Sequence, residues 1–176
     1  IKNAEILSVS SGGELAVALK SELWQGFNNP GTLAIMDSSG NAPRKILDNI
    51  QWADWHPSRK GNSALCAEKF LAVARDRNGR NCLEYPIGNV IFETGGWLGR
   101  PRFSADGKKI AFVEHPIHND DEGFIVLLDL EDENLKKRIL TKNWLTISGL
   151  AWMNDEIWFT ASQEAKTRSI NAVNLK

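Results

Sequence analysis

"RPRFSADGKKIAFVEH", residues 100–115, decides how the rest of the chain is read. A polar turn, Ser104-Ala105-Asp106-Gly107-Lys108, separates a short run ending at Phe103 from an apolar run starting at Ile110. Turn chemistry of this kind joins two antiparallel strands. The same order recurs along the chain. "ILSVSSGGELAVAL" (Ile6–Leu19) has a run ending at Val9, a Ser-Ser-Gly-Gly turn and a second run. "IQWADWHPSRKGNSALCAEKFLAVAR" (Ile50–Arg75) starts the same way, with an insertion near Gly61–Glu68 before "FLAVAR". "ISGLAWMNDEIWFTA" (Ile147–Ala161) repeats it with the shorter turn Met153-Asn154-Asp155. Ser10, His56, Ser104 and Met153 are equivalent points, 46, 48 and 49 residues apart.

Each unit has a second half. "GTLAIMDSSGNAPRKIL" (Gly31–Leu47), "NCLEYPIGNVIFET" (Asn81–Thr94) and "FIVLLDLEDENLKKRILT" (Phe124–Thr141) each read as strand, turn, strand. Four short strands per unit make one antiparallel blade, and a period in this range built only of strands is a propeller spacing. The expected fold is therefore all-β. It is a small or partial β-propeller of about four blades, each of four antiparallel strands. The whole chain, 1–176, forms one domain with blades 1–48, 49–95, 96–142 and 143–176. The last blade has three strands unless the stretch Ile1–Ile6 supplies the fourth. The runs "LAVAL", "FLAVAR", "IAFVE" and "IWFTA" are nearly continuously apolar or small, as strands covered on both faces are. Trp52, Trp55, Trp97, Trp152 and Trp158 then read as packing between blades.

The unit "SADGKKIAFVEH…GFIVLLDLEDENLKKRILT" resembles the WD-repeat-like propeller repeat of TolB-type proteins. Those repeats have the form S-P-D-G-x-x-I-A-F, a strand ending in D-L, a Gly-containing turn and a strand ending in L-T. Ser104, Asp106, Gly107, Ile110, Ala111, Phe112, Asp129, Leu130, Leu140 and Thr141 match, and Ala105 stands where the repeat has Pro. A narrower resemblance is to the propeller regions attached to predicted bacterial serine/threonine protein kinases. It rests on "GTLAIMDSSGNAPRKILDNIQWADW", "GRNCLEYPIGNVIFETGGWLGRPRFSADG" and "GLAWMNDEIWFTA". The resemblance implies a non-catalytic interaction or sensing module, a piece of a larger regulatory protein. The kinase motifs themselves are absent: no Gly-rich loop with VAIK, no HRD and no DFG.

The chain has 176 residues, a net charge of -1 and three histidines. That balance excludes a broad basic surface for nucleic acid. No apolar run approaches the roughly 20 residues needed to span a bilayer as a helix. Cys66 and Cys82 have neither CxxC nor zinc-finger spacing; they read as two buried thiols or as a disulfide. The chain begins at Ile1 without a signal peptide, as a processed form or a piece of a longer protein would. Cytoplasm and periplasm both fit.

Two loops concentrate candidate binding residues. "SELWQGFNNPG" (Ser21–Gly31) offers Trp24, Phe27 and Asn28, suited to a peptide or sugar. "EHPIHNDDE" (Glu114–Glu122) offers His115, His118 and Asp120. Its two His and several carboxylates are metal-ligand types, and equally the makings of a solvated loop. Arg75, Arg77, Arg80, Arg100 and Arg102 either attract an anion across a ring face or pair with Asp76, Glu84 or Glu114. The expected partner is a protein, a peptide or a second copy, with no cofactor and no metal. A half-open stack exposes apolar faces, and two copies closing an eight-bladed ring would bury them. The alternative function is a propeller hydrolase or metal-dependent enzyme with its site near His115 and His118.

Overall fold

The Ser104 turn shows how local chemistry sets a unit. In the computed structural model the Ser104 hydroxyl accepts the Lys109 N–H at 3.0 Å and donates to Asp106 Oδ1 at 2.6 Å. The same Asp106 oxygen accepts the Lys108 N–H at 3.0 Å. Gly107 has φ +74, which costs a residue with a side chain but not glycine. A Cβ there would lie 2.2 Å from the His56 ring. The turn is thus tied internally and packed against the preceding unit. The structure describes residues 2–19, 30–37, 39, 41–59, 66–164 and 167–176.

The first unit comprises strands β1 (Ala4–Val9), β2 (Leu15–Leu19) and β3 (Gly31–Met36), and the first part of β4 (Arg44–Trp55). The second begins in β4 and continues, after a 3-10 turn at Ala67–Phe70, through β5 (Leu71–Arg77), β6 (Arg80–Glu84) and β7 (Val90–Thr94). The third is β8 (Trp97–Phe103), β9 (Lys109–His115), β10 (Phe124–Asp129) and β11 (Lys137–Ile139). The fourth is β12 (Thr146–Met153), β13 (Glu156–Ser162) and β14 (Ser169–Asn174). All pairing is antiparallel between sequence neighbours. Among the described residues three sheets result, of seven, four and three strands. Two units share the seven-stranded sheet because β4 pairs with β3 as far as Ile50 and with β5 from Ile50 onward. Among the described residues no helix is long and apolar enough to cross a membrane.

The N-terminal stretch does not complete the fourth unit. Ala4, Glu5 and Ile6 pair with Leu19, Ala18 and Val17 of β2, and β12–β14 remain a three-stranded sheet. β1 is the edge strand of the seven-stranded sheet, with β2 as its neighbour among the described residues.

Hydrophobic cores lie between successive units. One combines Ala16, Ala18 and Leu33 with Trp55, Leu71 and Val73. The next combines Ala72, Ala74 and Leu83 with Phe103, Ile110 and Phe112. The third combines Ala111, Val113 and Ile125 with Ile147, Ile157 and Phe159. Alternate residues of β5 and β9 therefore serve opposite cores, as the apolar runs require. The sequence period reappears as hydrogen bonds between units. Ser8 Oγ donates to Asp54 Oδ1 at 2.7 Å, Phe103 N–H to Asp54 Oδ2 at 2.9 Å and Trp152 Nε1–H to the Arg102 carbonyl at 3.0 Å. These contacts span 46, 49 and 50 residues. Burial pushes the Asp54 carboxyl upward in pKa, against the pull of Arg102 and its donors.

The alanines at the start of each second strand fit this stacking. Ser8↔Ala16, Asp54↔Ala72, Arg102↔Ala111 and Ala151↔Trp158 are equivalent pairs. Ala16, Ala72 and Ala111 are fully buried against the following unit. Trp158 holds the same place in the last unit and is 36% exposed. The reading of Trp158 as packing between units is corrected here: its ring lies on an outer face. Cys66 is likewise exposed, so only Cys82 is a buried thiol, and the two form no disulfide.

Candidate functional site

The first strand of each unit carries an irregularity in its pairing, between Ile6 and Ser8, Ile50 and Trp52, Gly99 and Arg102, and Ser148 and Ala151. Bulges bend a strand and re-aim a side chain. In β8 the bulge puts Arg100 at φ +52, an uncommon conformation for a residue with a long side chain. The guanidinium carbon lies 4.6 Å from the centre of the Trp52 ring, on the preceding unit. A cation over an aromatic ring is attracted by the ring's negative face, and this contact engages none of the guanidinium N–H donors in a hydrogen bond. Among the described residues Arg100 has neither a hydrogen bond nor an ion pair.

The other arginines singled out in the sequence are compensated. Arg75 and Arg77 pair with the fully buried Glu84 at 2.8 and 3.6 Å. Arg80 pairs with Glu93 at 3.0 Å, and Arg102 with Asp54 at 3.5 Å. The pairing account holds for four of the five, with Glu93 and Asp54 as partners beside Glu84, and fails for Arg100. Burial, then the nearby Arg102, lowers the Arg100 pKa from its usual value, while Glu5 and Asp121 oppose the shift.

Arg100 and Trp52 line a cavity of about 160 Å³ at the end of the sheets away from the Ser104 turn. Trp97, Gly99, Val113 and His115 of the third unit and Ile147, Ser148 and Arg168 of the fourth complete most of its wall. Trp97 and His115 face each other across the last β8–β9 pair and stack at 3.6 Å with an interplanar angle of 3°. His115 Nδ1 lies 3.1 Å from the Glu122 carbonyl, which only accepts, so Nδ1 carries the proton and Nε2 is the acceptor. The ring is 2% exposed. Burial lowers its pKa to about 4 despite the favourable Glu122 carbonyl and Asp120 and Asp121. His115 is thus a neutral wall of the cavity at neutral pH. Arg168 binds Asp121 through Nη2 and donates from Nε to Thr146 Oγ1 at 2.8 Å. Asp121 also lines the cavity, so two cations, Arg100 and Arg168, stand against one carboxylate and the lining carries a net charge of +1.

The loop after β9 is held by hydrogen bonds among its own groups and their neighbours. Trp97 Nε1–H donates to the Asp120 carbonyl at 2.8 Å. Asp120 Oδ1 accepts the Glu122 N–H at 2.9 Å, and Asn143 donates to the Glu122 carboxylate. Asp121 also accepts from the Thr146 hydroxyl. His118 is exposed, and neither it nor Asp120 lines the cavity that His115 walls. Among the described residues no three His, Cys, Asp or Glu side chains gather as a metal-binding group. Trp24, Phe27 and Asn28 lie outside the described residues.

A wider groove of about 480 Å³ lies near the Ser104 turn, between the third and fourth units. Its wall includes Asp106, held by Ser104 and Lys108, and Asp155, paired with Lys176 at 2.8 Å. Arg100 had one signal legible in the sequence: a cationic residue four positions before the turn, where the other units have Ile6, Trp52 and Gly149. No protein-family model and no curated protein matches the chain.

Proposed function

We propose that the chain is a TolB-like, propeller-type interaction or sensing module without catalytic activity. It binds a protein, peptide or small ligand and belongs to a larger regulatory protein. The observation that carries the reading is the cavity where three successive units meet, walled by Trp52, Trp97 and Arg100, which has no ion pair among the described residues. The architecture supports it. Each unit packs on the next, and the first strands touch in order, β1 with β4, β4 with β8 and β8 with β12. In a propeller those strands line the central axis, where ligands enter. The homodimer expectation attaches to the two outer faces. Ile6 and Val9 on the first unit and Trp158 and Ile170 on the last are exposed there, at 62, 57, 36 and 71%.

The test is a ligand screen by NMR on the full chain, run beside turnover assays with p-nitrophenyl acetate and p-nitrophenyl phosphate, with and without added zinc. The expected result is saturable binding without turnover. Turnover that depends on zinc and disappears in His115→Asn would overturn the reading in favour of a hydrolase. Light scattering reads the assembly: a mass of about 39 kDa, twice 19.6 kDa, means a dimer.

A further inference from the structure

We infer that the Arg100 cavity is a receptor for a single carboxylate group, which the guanidinium grips while the Trp52 ring packs against it. The inference deepens the binding-module reading and rests on it. Four observations converge. The guanidinium carbon lies over the Trp52 ring at 4.6 Å, and the group has no hydrogen bond or ion pair among the described residues. The planar fork of a guanidinium matches the two oxygens of a carboxylate. Ser148 faces the same cavity, and its hydroxyl has no hydrogen bond among the described residues, so a second donor is at hand. The lining has one charge to neutralise, since Arg168 is held by Asp121 and His115 is neutral. A monoanion fits that balance, and a phosphate dianion exceeds it. The volume, about 160 Å³, takes a carboxylate with a few further heavy atoms.

Backbone conformation gives the inference its sharpest edge. Arg100 adopts φ +52, and at the equivalent place in the last unit Gly149 adopts φ +68. Glycine is the residue this bulge suits, and a side chain is strained there. A residue kept in a strained conformation with its charge unpaired is a mark of function at the expense of stability. Arginine for structure alone would favour the opposite arrangement.

The experiment is a titration of the full chain followed at the indole N–H signals of Trp52 and Trp97. The probes are sodium acetate, inorganic phosphate and sodium chloride at matched ionic strength, then a pair of short peptides differing only in a free or an amidated C-terminus. Acetate is expected to saturate at about millimolar concentration, with phosphate weaker and chloride without effect. Arg100→Lys keeps the charge and loses the planar grip, and weakens binding by about tenfold. Arg100→Gly abolishes binding while the melting temperature holds or rises. The free-acid peptide binding more tightly than acetate, with the amidated one silent, identifies a peptide terminus as the source. Equal binding of acetate and free-acid peptide identifies a small organic acid.

Three results overturn the inference: no saturable shift with acetate or either peptide, tighter binding of phosphate than of acetate, or Arg100→Gly that binds normally or melts lower. In that last case Arg100 is a packing residue. If one of these three results is obtained while the broader screen finds a ligand elsewhere, the module reading stands and this assignment falls. Zinc-dependent turnover would remove the module reading even if acetate binds.

Discussion

Acidification is the perturbation that tests the packing around His115 most directly. An ordinary histidine titrates near 6.5, and burial brings His115 to about 4. The folded chain therefore binds fewer protons than the unfolded chain between those two values. Stability from this group is fully present above pH 6.5, declines as pH falls and is spent below about 4. A separation of about 2.5 units at 1.36 kcal/mol each amounts to about 3 kcal/mol, a large share of a typical domain's stability. The physical source is the ring's 2% exposure and its stack on Trp97 at 3.6 Å, which leave an imidazolium without water. Asp120 and Asp121 act the other way and reduce the shift without reversing it. Denaturant unfolding from pH 7 to pH 4.5 on the wild type and on His115→Phe isolates the effect. The substitution keeps a ring against Trp97, and subtraction removes the carboxylates common to both. The difference should change by most of that amount, with the wild type losing more on acidification. The imidazole C–H signal of His115 should stay at its neutral position at pH 5.5. A flat difference curve, or a ring that titrates near 6.5, refutes the reasoning.

Asp54→Ala removes the acceptor for Ser8 and the Phe103 N–H and leaves Arg102 unmatched, so chemical denaturation should show a loss of about 2–4 kcal/mol, with Asp54→Asn losing less. Ala111 and Trp158 are equivalent positions with opposite surroundings. Ala111→Trp should prevent folding or cost more than about 3 kcal/mol, whereas Trp158→Ala should cost under about 1 kcal/mol in a thermal melt of the monomer. Thiol labelling should be fast at Cys66, which is exposed, and should reach Cys82 only on unfolding, because burial encloses that thiol and raises its pKa.

Much of the architecture was legible in the chain because it follows from local rules. The Ser104–Lys108 turn closes on its own Ser and Asp side chains, so its sequence is enough to place a hairpin. The apolar runs around Leu71–Ala74 and Ile110–Val113 announced strands covered on both faces, and each serves two cores. The spacing of 46 to 49 residues became hydrogen bonds of nearly the same span. The site was less legible. Arg75 and Arg100 look alike in sequence, yet Arg75 meets Glu84 across its own hairpin while a bulge turns Arg100 onto Trp52. His115 and His118 look like a pair, yet one ends a strand beneath Trp97 and the other is exposed on the loop.

The sequence by itself determined the units: their strands, turns and period, because turn chemistry and side-chain alternation act within about ten residues. Only the tertiary structure decided what each unit meets. It made β4 a strand of two units, gave β1 to its own hairpin, left Trp158 on an outer face and set Arg100 over Trp52 with no ion pair among the described residues. Those outcomes depend on which surfaces come together across 45 to 50 residues. Charge pairing and burial are properties of that meeting, and the same residue type in the same local pattern acquires a different role on each side of it.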